Sequence, residues 1–358
     1  MTVPRIGVVG GGVYGTAMLK CFAGAHRQGL VTLVALADLD ENVLKRQGEN
    51  FAIAGYQHYQ QMFAEAALDA VAVATPDHLH AEVVLAAAAA GLHVLAQKPL
   101  DTDVTRARKM IDTCAEHNVM LFVDFHKRFD PAHQRLKQEI SAGKLGPIQY
   151  GYVCMEDKII VPSGWLRKWA ASSSPSWFIG VHFYDLVWWL LDSQPVSVFA
   201  QGHKGKLTSL GIDTWDSVCS RVTFANGATF SFDISWILPD SFPSIVNQQI
   251  RVVGQEGIAE VDSQDRGMFC ATSDSAESQV INAFGAQEYQ HPVWGPQMQG
   301  YTFSSMLYFL ELIALLKRGE VTLSQLQGKY PDGESAMAST RIGAAIDRSL
   351  QLGQPVTL

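Results

Sequence analysis

The sequence has neither a paired-cysteine motif nor a long apolar run. Its five cysteines include no C-x-x-C pair and are dispersed along the chain, at Cys21, Cys114, Cys154, Cys219 and Cys270. This odd, scattered set predicts reduced thiols in a cytoplasmic protein. The longest apolar stretch, Ala81 to Ala90, is interrupted by Glu82 and is too short to span a membrane. No secretory signal is visible, because the first apolar run reads as a strand that leads into a glycine-rich turn.

An excess of positive charge is also absent. The chain has 27 lysines and arginines against 35 aspartates and glutamates, a formal net charge of −8. This balance argues against nucleic acid or an anionic membrane as the main partner. With 358 residues, of which 47% are hydrophobic and 17% charged, the chain is long enough and apolar enough for two domains with full cores.

The first eleven residues after Pro4 contain the most informative motif. An apolar strand from Arg5 runs into a glycine-rich turn in which Gly10, Gly12 and Gly15 have the G-x-G-x-x-G spacing, and an apolar helix follows. Such a turn needs one glycine for the tight bend, one for close approach of a pyrophosphate and one for helix packing. The helix start at Val13 and Tyr14 presents free N–H groups to the phosphates. The spacing alone also arises by chance in a glycine-rich chain, so its context matters.

An acidic residue follows the second predicted strand at the expected distance from the glycine loop. That strand, Val31 to Ala37, ends in Asp38. Its carboxylate can accept hydrogen bonds from both hydroxyls of an adenosine ribose and would repel a 2′-phosphate, so NAD is favoured over NADP. The alternative is a solvated turn carboxylate with no cofactor role.

The order of predicted elements indicates two domains. Strands and helices alternate up to Asp124, which predicts an α/β domain with a doubly wound parallel sheet over residues 1–124. Strands cluster beyond that point, with a hairpin signal at Asn226-Gly227, which predicts an α+β domain with a mainly antiparallel sheet over residues 125–358. The closing helices of that domain can pack back on the first one. The stretch from Ser273 to Gln299 has no clear periodicity and is predicted as a loop.

Ligands of an open parallel sheet lie beyond the carboxyl ends of its strands. Three groups of candidate residues follow predicted strands directly; they are Thr75, Pro76 and His80, then Gln97 and Lys98, then His126 and Arg128. A partly desolvated lysine at position 98 can hold a substrate hydroxyl or share in its proton transfer. The alternative for Lys98 is an ordinary surface lysine. His78 and His80 suggest a metal pair, but no third or fourth ligand is evident, so no metal is expected.

The second domain is expected to supply the other wall of the cleft. His182 and Asp185 stand three residues apart on a predicted helix and share a face, and histidine is the usual general base near neutral pH. The alternative is a histidine packed among aromatic residues. Trp165, Arg167 and Trp169 lie just upstream and combine aromatic faces with hydrogen-bonding groups, which suits a sugar ring. Ordinary packing or a subunit contact is the alternative for each tryptophan.

Taken together, these motifs resemble the glucose–fructose oxidoreductase / inositol dehydrogenase / rhizopine catabolism (Gfo/Idh/MocA) family. The residues that carry the resemblance are the glycine loop, the Thr75-Pro76 turn with His80, Lys98-Pro99, the helix of Gly180, His182 and Asp185, and Asp332-Gly333. The resemblance implies a Rossmann domain, an open-faced sheet domain that often pairs with another subunit, and NAD(P)-dependent chemistry on sugars or polyols. It places the signature lysine at Lys98 and the catalytic histidine at His182.

Three departures from the family pattern bear on mechanism. The signature triplet is commonly Glu-Lys-Pro, but here Gln97 replaces the acid; Asp77 stands where Asn is common; and Phe178 stands where many members carry an aspartate four residues before the histidine. Without an acidic partner, a histidine loses an orienting hydrogen bond. Asp185 or another residue is a candidate for that role; the alternative is that Lys98 carries more of the proton transfer. The neutral Gln97 is expected to leave the Lys98 ammonium less stabilised than a glutamate would.

The sequence thus predicts an NAD-dependent oxidoreductase that transfers a hydride between nicotinamide and a sugar, an inositol-like polyol or a related alcohol. Lys98 would position the oxygen, and His182, with Asp185, would move the proton. A homodimer or homotetramer through the second-domain sheet is expected. Two alternatives remain open: an NAD-using lyase or glycosidase that acts by transient oxidation, and a non-catalytic NAD- or sugar-sensing protein.

Overall fold

A computed structural model of the chain describes residues 3–262, 267–270 and 279–358. The chain divides into two compact units, one comprising Met1–His126 and Ala286–Met337, the other Lys127–Gly285 and Ala338–Leu358. Along the chain, the first boundary between the two units falls after His126, two residues beyond the boundary predicted after residue 124. The predicted second domain is continuous, whereas residues 286–337 belong to the first unit.

The first unit is built on a sheet of six parallel strands. They are β1 (Arg5–Val9), β2 (Thr32–Ala37), β3 (Ala54–Tyr56), β4 (Ala70–Val73), β5 (His93–Ala96) and β6 (Leu121–Val123), in the spatial order β3-β2-β1-β4-β5-β6. Strand β4 is buried along its whole length, as expected where helices cover both faces of a parallel sheet. The strand order reverses between β1 and β4, and ligands of doubly wound sheets bind at such a point. The predicted doubly wound sheet is confirmed.

Seven helices are described in the first unit apart from short 3-10 turns. They are α1 (Val13–Arg27), α2 (Glu41–Phe51), α3 (Tyr59–Glu65), α4 (His80–Ala89), α5 (Val104–Glu116), α9 (Tyr301–Lys317) and α10 (Leu323–Leu326). Carboxylates cap two of them: Asp40 accepts a hydrogen bond from the Asn42 N–H in α2, and Asp103 accepts one from the Arg106 N–H in α5. Helix α9 packs against α1 and β5.

The second unit contains a seven-stranded mixed sheet. Its strands are β7 (Ile148–Lys158), β8 (Pro195–His203), β9 (Ser217–Phe224), β10 (Thr229–Leu238), β11 (Val246–Gly254), β12 (Ile258–Asp262) and β17 (Val356–Thr357). Strands β7 and β10 run parallel, and the other neighbours in the sheet are antiparallel. Alternate residues of β10, including Phe230 and Phe232, are fully buried, which marks one face of the sheet as core. The predicted mainly antiparallel sheet is confirmed.

The helices described in the second unit are α6 (Pro131–Ser141), α7 (Val181–Leu191) and α8 (Lys206–Ser209), and α11 (Gly333–Leu352) begins in the first unit and ends in the second. The sequence predicts one helix from Pro175 to Leu191. Instead, a π-helical turn, Ser176–Gly180, precedes α7. A Cβ at Gly180 would lie 2.6 Å from the Tyr184 hydroxyl, so close packing at this turn requires glycine.

Short strands occupy part of the stretch predicted as a loop. They are β14 (Gln279–Asn282), which pairs with β13 (Gly267–Cys270), and the hairpin of β15 (Gln287–His291) and β16 (Gly295–Gln299). Residues 273–278 of that predicted loop lie outside the described residues. Within the described part of the chain, no helix has the length and apolar character needed to cross a membrane.

Candidate active site

The three glycines of the loop after β1 meet three different requirements. Gly10 has φ +93°, a left-handed conformation that favours glycine, and a Cβ at Gly15 would lie 1.9 Å from the Gly10 carbonyl oxygen. A Cβ at Gly12 would meet no atom within 4 Å. Gly10 and Gly15 are therefore required by the fold of the loop itself, whereas Gly12 borders open space of the kind a pyrophosphate would fill.

The N-terminus of α1 is suited to an anion. In this helix, all of which the structure describes, Gly12 is the N-cap residue without a capping side chain, and the first turn contains no acidic residue. Val13 is 62% exposed. The first N–H groups of a helix lack partners within the helix and carry a partial positive charge. These features fit the phosphates of a dinucleotide.

Asp38 begins the turn after β2 and is tied to the glycine loop. Its Oδ2 accepts a hydrogen bond of 2.7 Å from the Gly11 N–H, and its Oδ1 accepts one of 2.9 Å from the Asp40 N–H. Asp38 is half-buried. The neighbouring Asp40 caps α2 through the Asn42 N–H, at 2.9 Å. Two carboxylates only two residues apart thus have different surroundings, and Asp38 is the one fixed beside the loop.

A buried histidine links the turns that follow β4 and β5. The His80 Nε2 atom lies 3.0 Å from the Thr75 carbonyl oxygen, and its Nδ1 lies 2.7 Å from the carbonyl oxygen of Pro99. Asp77, in the 3-10 turn after Pro76, is buried, and His78 is exposed. His80 therefore holds the segment that carries Lys98 in position. This structural role is the alternative to metal binding.

Gln97 and Lys98 leave β5 beside a buried carboxylate that the sequence reasoning missed. The Gln97 side-chain amide donates a hydrogen bond of 2.6 Å to Oδ2 of Asp124, the residue after β6. The Tyr14 hydroxyl donates to the same oxygen at 2.8 Å, and the Ser305 hydroxyl of α9 donates to Oδ1 at 2.6 Å. Lys98 is itself buried. Asp124 directly follows β6, just as Asp38 directly follows β2. This shared position after a parallel strand could have identified Asp124 as a candidate site residue.

Burial controls the ionisation of this cluster. It raises the pKa of Asp124, while the three hydrogen-bond donors and the positive charge of Lys98 act in the opposite direction. Burial and the neighbouring Asp124 carboxylate raise the pKa of Tyr14 well above its usual value. Tyr14 therefore remains protonated and able to donate. Tyr14 lies in the first turn of α1, where its hydroxyl contacts Asp124, and its contact with a cofactor stays a prediction.

The last candidate of the first unit, His126, follows β6. It is buried, and its ring stacks on Tyr301 with centroids 5.7 Å apart. This stacking explains its position by packing.

In the second unit, the candidate general base lies at the start of α7. His182 is buried in the first turn of that helix. Phe178, where the family pattern commonly has an acid, lies in the preceding π-helical turn and makes edge-to-face contacts with Trp169 and Trp236, at centroid distances of 5.9 and 5.7 Å. The position of the missing acid is thus part of an aromatic cluster.

Asp185 forms a buried ion pair with Arg128. The Arg128 Nε donates to Oδ2 of Asp185 at 2.8 Å, and its Nη2 donates to Oδ1. The guanidinium also lies over the Trp188 ring, 5.6 Å from its centroid. Burial raises the pKa of Asp185, and the Arg128 charge opposes that rise. Both carboxylate oxygens are engaged by the arginine, so the structure gives Asp185 a partner other than His182 and gives Arg128 a partner other than a substrate.

The tryptophans upstream of His182 differ in exposure. Trp165 is 49% exposed, whereas Trp177 is buried and donates from its indole N–H to Asp347 at 2.7 Å. Arg167 is exposed and donates to the Leu210 carbonyl oxygen at 2.8 Å. Trp177 is thus a packing residue, and Trp165 and Trp169 remain candidates for substrate contact. Across the described residues, no three His, Cys, Asp or Glu side chains are grouped as a metal ion would require.

Two protein-family models match the chain. Residues 4–125 match the model described as oxidoreductase family, NAD-binding Rossmann fold, and residues 133–260 match that of the GFO/IDH/MocA C-terminal domain. An inositol 2-dehydrogenase of Rhizobium meliloti is 26% identical over 280 residues, which make up 74% of this chain and 77% of the relative. A D-glucoside 3-dehydrogenase of Escherichia coli is 29% identical over 231 residues, 60% of this chain and 66% of the relative.

The fold also has close counterparts among solved structures. The crystal structure of scyllo-inositol dehydrogenase from Lactobacillus casei, with bound NAD(H) and scyllo-inositol, covers 99% of this chain and is itself covered to 99%, with a TM-score of 0.77. Sequence identity in that comparison is 16%. At that level of identity the likeness concerns the fold.

Proposed function

The chain belongs to the Gfo/Idh/MocA family of oxidoreductases and is a dehydrogenase of CH–OH groups, and from this premise we propose that it transfers a hydride between NAD and a secondary alcohol of a sugar or inositol-like polyol. One observation carries the proposal. The open cradle at Gly12 and the buried Lys98 both follow strands of the same parallel sheet, at the ends where ligands of such sheets bind.

The residues that would hold the dinucleotide follow from the contacts of the first unit. Gly12 leaves room for the pyrophosphate at the start of α1, in a loop whose shape requires Gly10 and Gly15, and Asp38 would accept hydrogen bonds from the adenosine ribose. We assign the segments of Thr75, Pro76, His80, Gln97 and Lys98 to the nicotinamide half. When bound, NAD supplies the hydride acceptor.

The protein's own groups would handle the oxygen and the proton. Lys98 donates a hydrogen bond to the substrate oxygen and stabilises the negative charge that develops there. His182 accepts the hydroxyl proton as general base, and returns it in the direction of reduction. We assign the ion pair of Arg128 and Asp185 to holding α7 in place.

The proposed substrate class rests on the relatives and on the aromatic side chains upstream of His182 in the sequence. The two relatives are named for inositol and for a glucoside, both of which carry several secondary hydroxyls. Aromatic rings such as those of Trp165 and Trp169 suit the C–H faces of a sugar ring. Phe178 makes this region more apolar than an aspartate would, which favours a substrate with an uncharged face.

The test is a screen of inositols, hexoses, glycosides and uronic acids for NADH formation, followed in the parent and in Lys98→Met. We expect Lys98→Met to lower kcat/KM on the best substrate by about 10²- to 10³-fold, because loss of a donor to a developing negative charge costs that much. Its NAD affinity should change far less. Lys109→Met, at an exposed position on α5, is the matched control and should keep the parent rate.

Two results would redirect the proposal. Cleavage of a glycoside with NAD required but no net NADH would favour the lyase or glycosidase alternative. NAD binding without turnover of any alcohol would favour a sensing protein.

Cofactor preference can be tested separately at Asp38. Removing the carboxylate with Asp38→Asn should weaken NAD binding and lower the ratio of NAD to NADP affinity by about tenfold or more, because a charge that repels a 2′-phosphate is lost. Asp40→Asn is the control, since Asp40 caps α2 instead. Equal effects of the two substitutions on the affinity ratio would contradict a ribose role for Asp38.

A further inference from the structure

The residue before the lysine is a glutamine here, yet a carboxylate is present at the same place from a different strand. Gln97 leaves β5 and Asp124 leaves the adjacent strand β6, and the Gln97 amide donates to the Asp124 carboxylate at 2.6 Å. The carboxylate and the amide are therefore in direct contact. A glutamate at position 97 would therefore lie directly beside the Asp124 carboxylate.

The surroundings of Asp124 supply three hydrogen-bond donors to its carboxylate. It is fully buried, and its two oxygens accept hydrogen bonds from Tyr14, Gln97 and Ser305, which come from α1, the end of β5 and α9. An ionised carboxylate is a pure acceptor, so three donors on two oxygens match its needs. A buried carboxylate without a nearby positive charge is costly, and hydrogen bonds alone offset only part of that cost.

Among the described residues, the groups that act on the Asp124 carboxyl come from three places in the first unit. From α1 they are Tyr14 and the Cys21 thiol, from the turn after β5 the ammonium of Lys98, and from α9 the neutral Ser305. Of these groups, Lys98 is the one that carries positive charge. The electrostatic interaction between it and Asp124 favours the ionised form of both.

We propose that Asp124 is the positioning residue that sets the charge of Lys98, in place of the acid that the Glu-Lys-Pro pattern places next to the lysine. The negative charge that an acid at position 97 would supply comes instead from Asp124, which follows the neighbouring strand β6. Gln97, the residue before Lys98, donates a hydrogen bond to that carboxylate. On this proposal Asp124 supplies the negative charge whose absence at position 97 was expected to leave the Lys98 ammonium less stabilised. The proposal rests on the proposed role of Lys98 in binding the alcohol oxygen.

The experiment measures the pKa of the Lys98 amine directly, by competitive acetylation across pH with mass spectrometry of the Lys98 peptide. It compares the parent, Asp124→Asn, and the exchanged variant Gln97→Glu/Asp124→Asn. We expect Asp124→Asn to lower the pKa of Lys98 by about one unit or more, since an opposite charge nearby contributes about 1–3 units. In the exchanged variant, the pKa of Lys98 should differ from the parent value by less than about half of the shift seen in Asp124→Asn.

Asp101→Asn is the matched control. Asp101 is as deeply buried as Asp124 and lies three residues from Lys98 in sequence, but its carboxylate is paired with Arg106. It should leave the pKa of Lys98 at the parent value. If Asp124→Asn does not fold, Tyr14→Phe replaces it, because loss of one donor to the carboxylate should shift the same pKa in the same direction by a smaller amount.

An unchanged pKa of Lys98 in Asp124→Asn, or an exchanged variant that keeps the pKa of the single variant, would overturn the proposal. The acetylation needs neither substrate nor turnover, so it decides the role of Asp124 even if no alcohol is oxidised. Conversely, a Lys98→Met enzyme with the parent rate rejects the proposed function and leaves this measurement intact.

Discussion

Asp124 in the first unit and Asp185 in the second are both buried, and their carboxylates are satisfied in different ways. Asp124 in the first unit receives three hydrogen bonds from neutral donors on three elements, whereas Asp185 in the second unit has both oxygens on one guanidinium. Burial raises the pKa of both. A guanidinium stays charged throughout the accessible pH range, so it fixes the charge of Asp185. Neutral donors leave Asp124 responsive to the state of Lys98.

This difference separates a structural ion pair from a cluster that can take part in chemistry. The bidentate pair of Arg128 and Asp185 stabilises the packing of its own unit and has no assigned role in ligand binding. A carboxylate shared among α1, the end of β5 and α9 links the glycine loop, the Lys98 segment and a distant helix of the same unit. Neither role could be read from burial alone, since both carboxylates are equally inaccessible to solvent.

The largest expected effect concerns the ion pair of the second unit. Arg128→Met or Asp185→Asn should each lower the free energy of unfolding by about 3–5 kcal/mol, because each leaves the other group buried without its partner. The double variant Arg128→Met/Asp185→Leu should recover most of that loss. Urea unfolding measures all three.

Lys204→Met is the control for this prediction, because it breaks an exposed pair with Asp213 in the same unit. Exposed pairs contribute about 0–1 kcal/mol. Single substitutions at Arg128 and Asp185 that cost no more than this would remove the contrast between the two aspartates.

The second prediction separates packing from ligand binding within the glycine loop of the first unit. Gly15→Ala should destabilise the protein by about 1–3 kcal/mol, because its Cβ would lie 1.9 Å from a backbone oxygen. Gly12→Ala should leave the thermal midpoint nearly unchanged and weaken NAD binding by about tenfold, since its Cβ enters space open in the protein. Scanning calorimetry measures the unfolding of the two variants, and titration calorimetry measures their NAD binding. Parent-like NAD affinity in Gly12→Ala would show that this glycine does not face the pyrophosphate.

The smallest expected effect lies at the opposite end of the first sheet, where a polar group is held neutral. His93 begins β5, and its Nδ1 accepts a hydrogen bond of 3.0 Å from the Met120 N–H. Burial lowers the pKa of His93 in the folded state, with Asp69 acting against it. The stabilisation is fully present above the unfolded value of 6.5 and is lost as pH falls from there through the folded pKa.

Melting temperatures between pH 8 and pH 5, at about half-unit steps, therefore test this site. The parent should lose a few degrees more on acidification than His93→Asn, which keeps an acceptor but cannot be protonated. His117→Asn, at an exposed position of the same unit, should follow the parent. Identical curves for parent and His93→Asn would contradict the assigned shift.

Much of the first unit could be predicted because its signals are local. The strand-turn-helix of the glycine loop, the acid after β2 and the alternation of strands and helices are all visible in short windows of sequence. The ion pair of Arg128 and Asp185 was not visible, because the residues are 57 positions apart and each was interpreted by its own neighbours. The π-helical turn before His182 was also missed, because the sequence predicted one continuous helix from Pro175 to Leu191.

By itself, the sequence determined the doubly wound first sheet, the mainly antiparallel second sheet and the family, because backbone preference and strand periodicity depend on residues close together in the chain. Only the tertiary structure decided which side chains share a charge. Asp124 meets Gln97, Tyr14 and Ser305 across sequence separations of 27, 110 and 181 residues. Contacts at such separations exist only once the sheet and its helices have packed, and the hydrogen bonds formed there fix where a buried carboxylate can be tolerated.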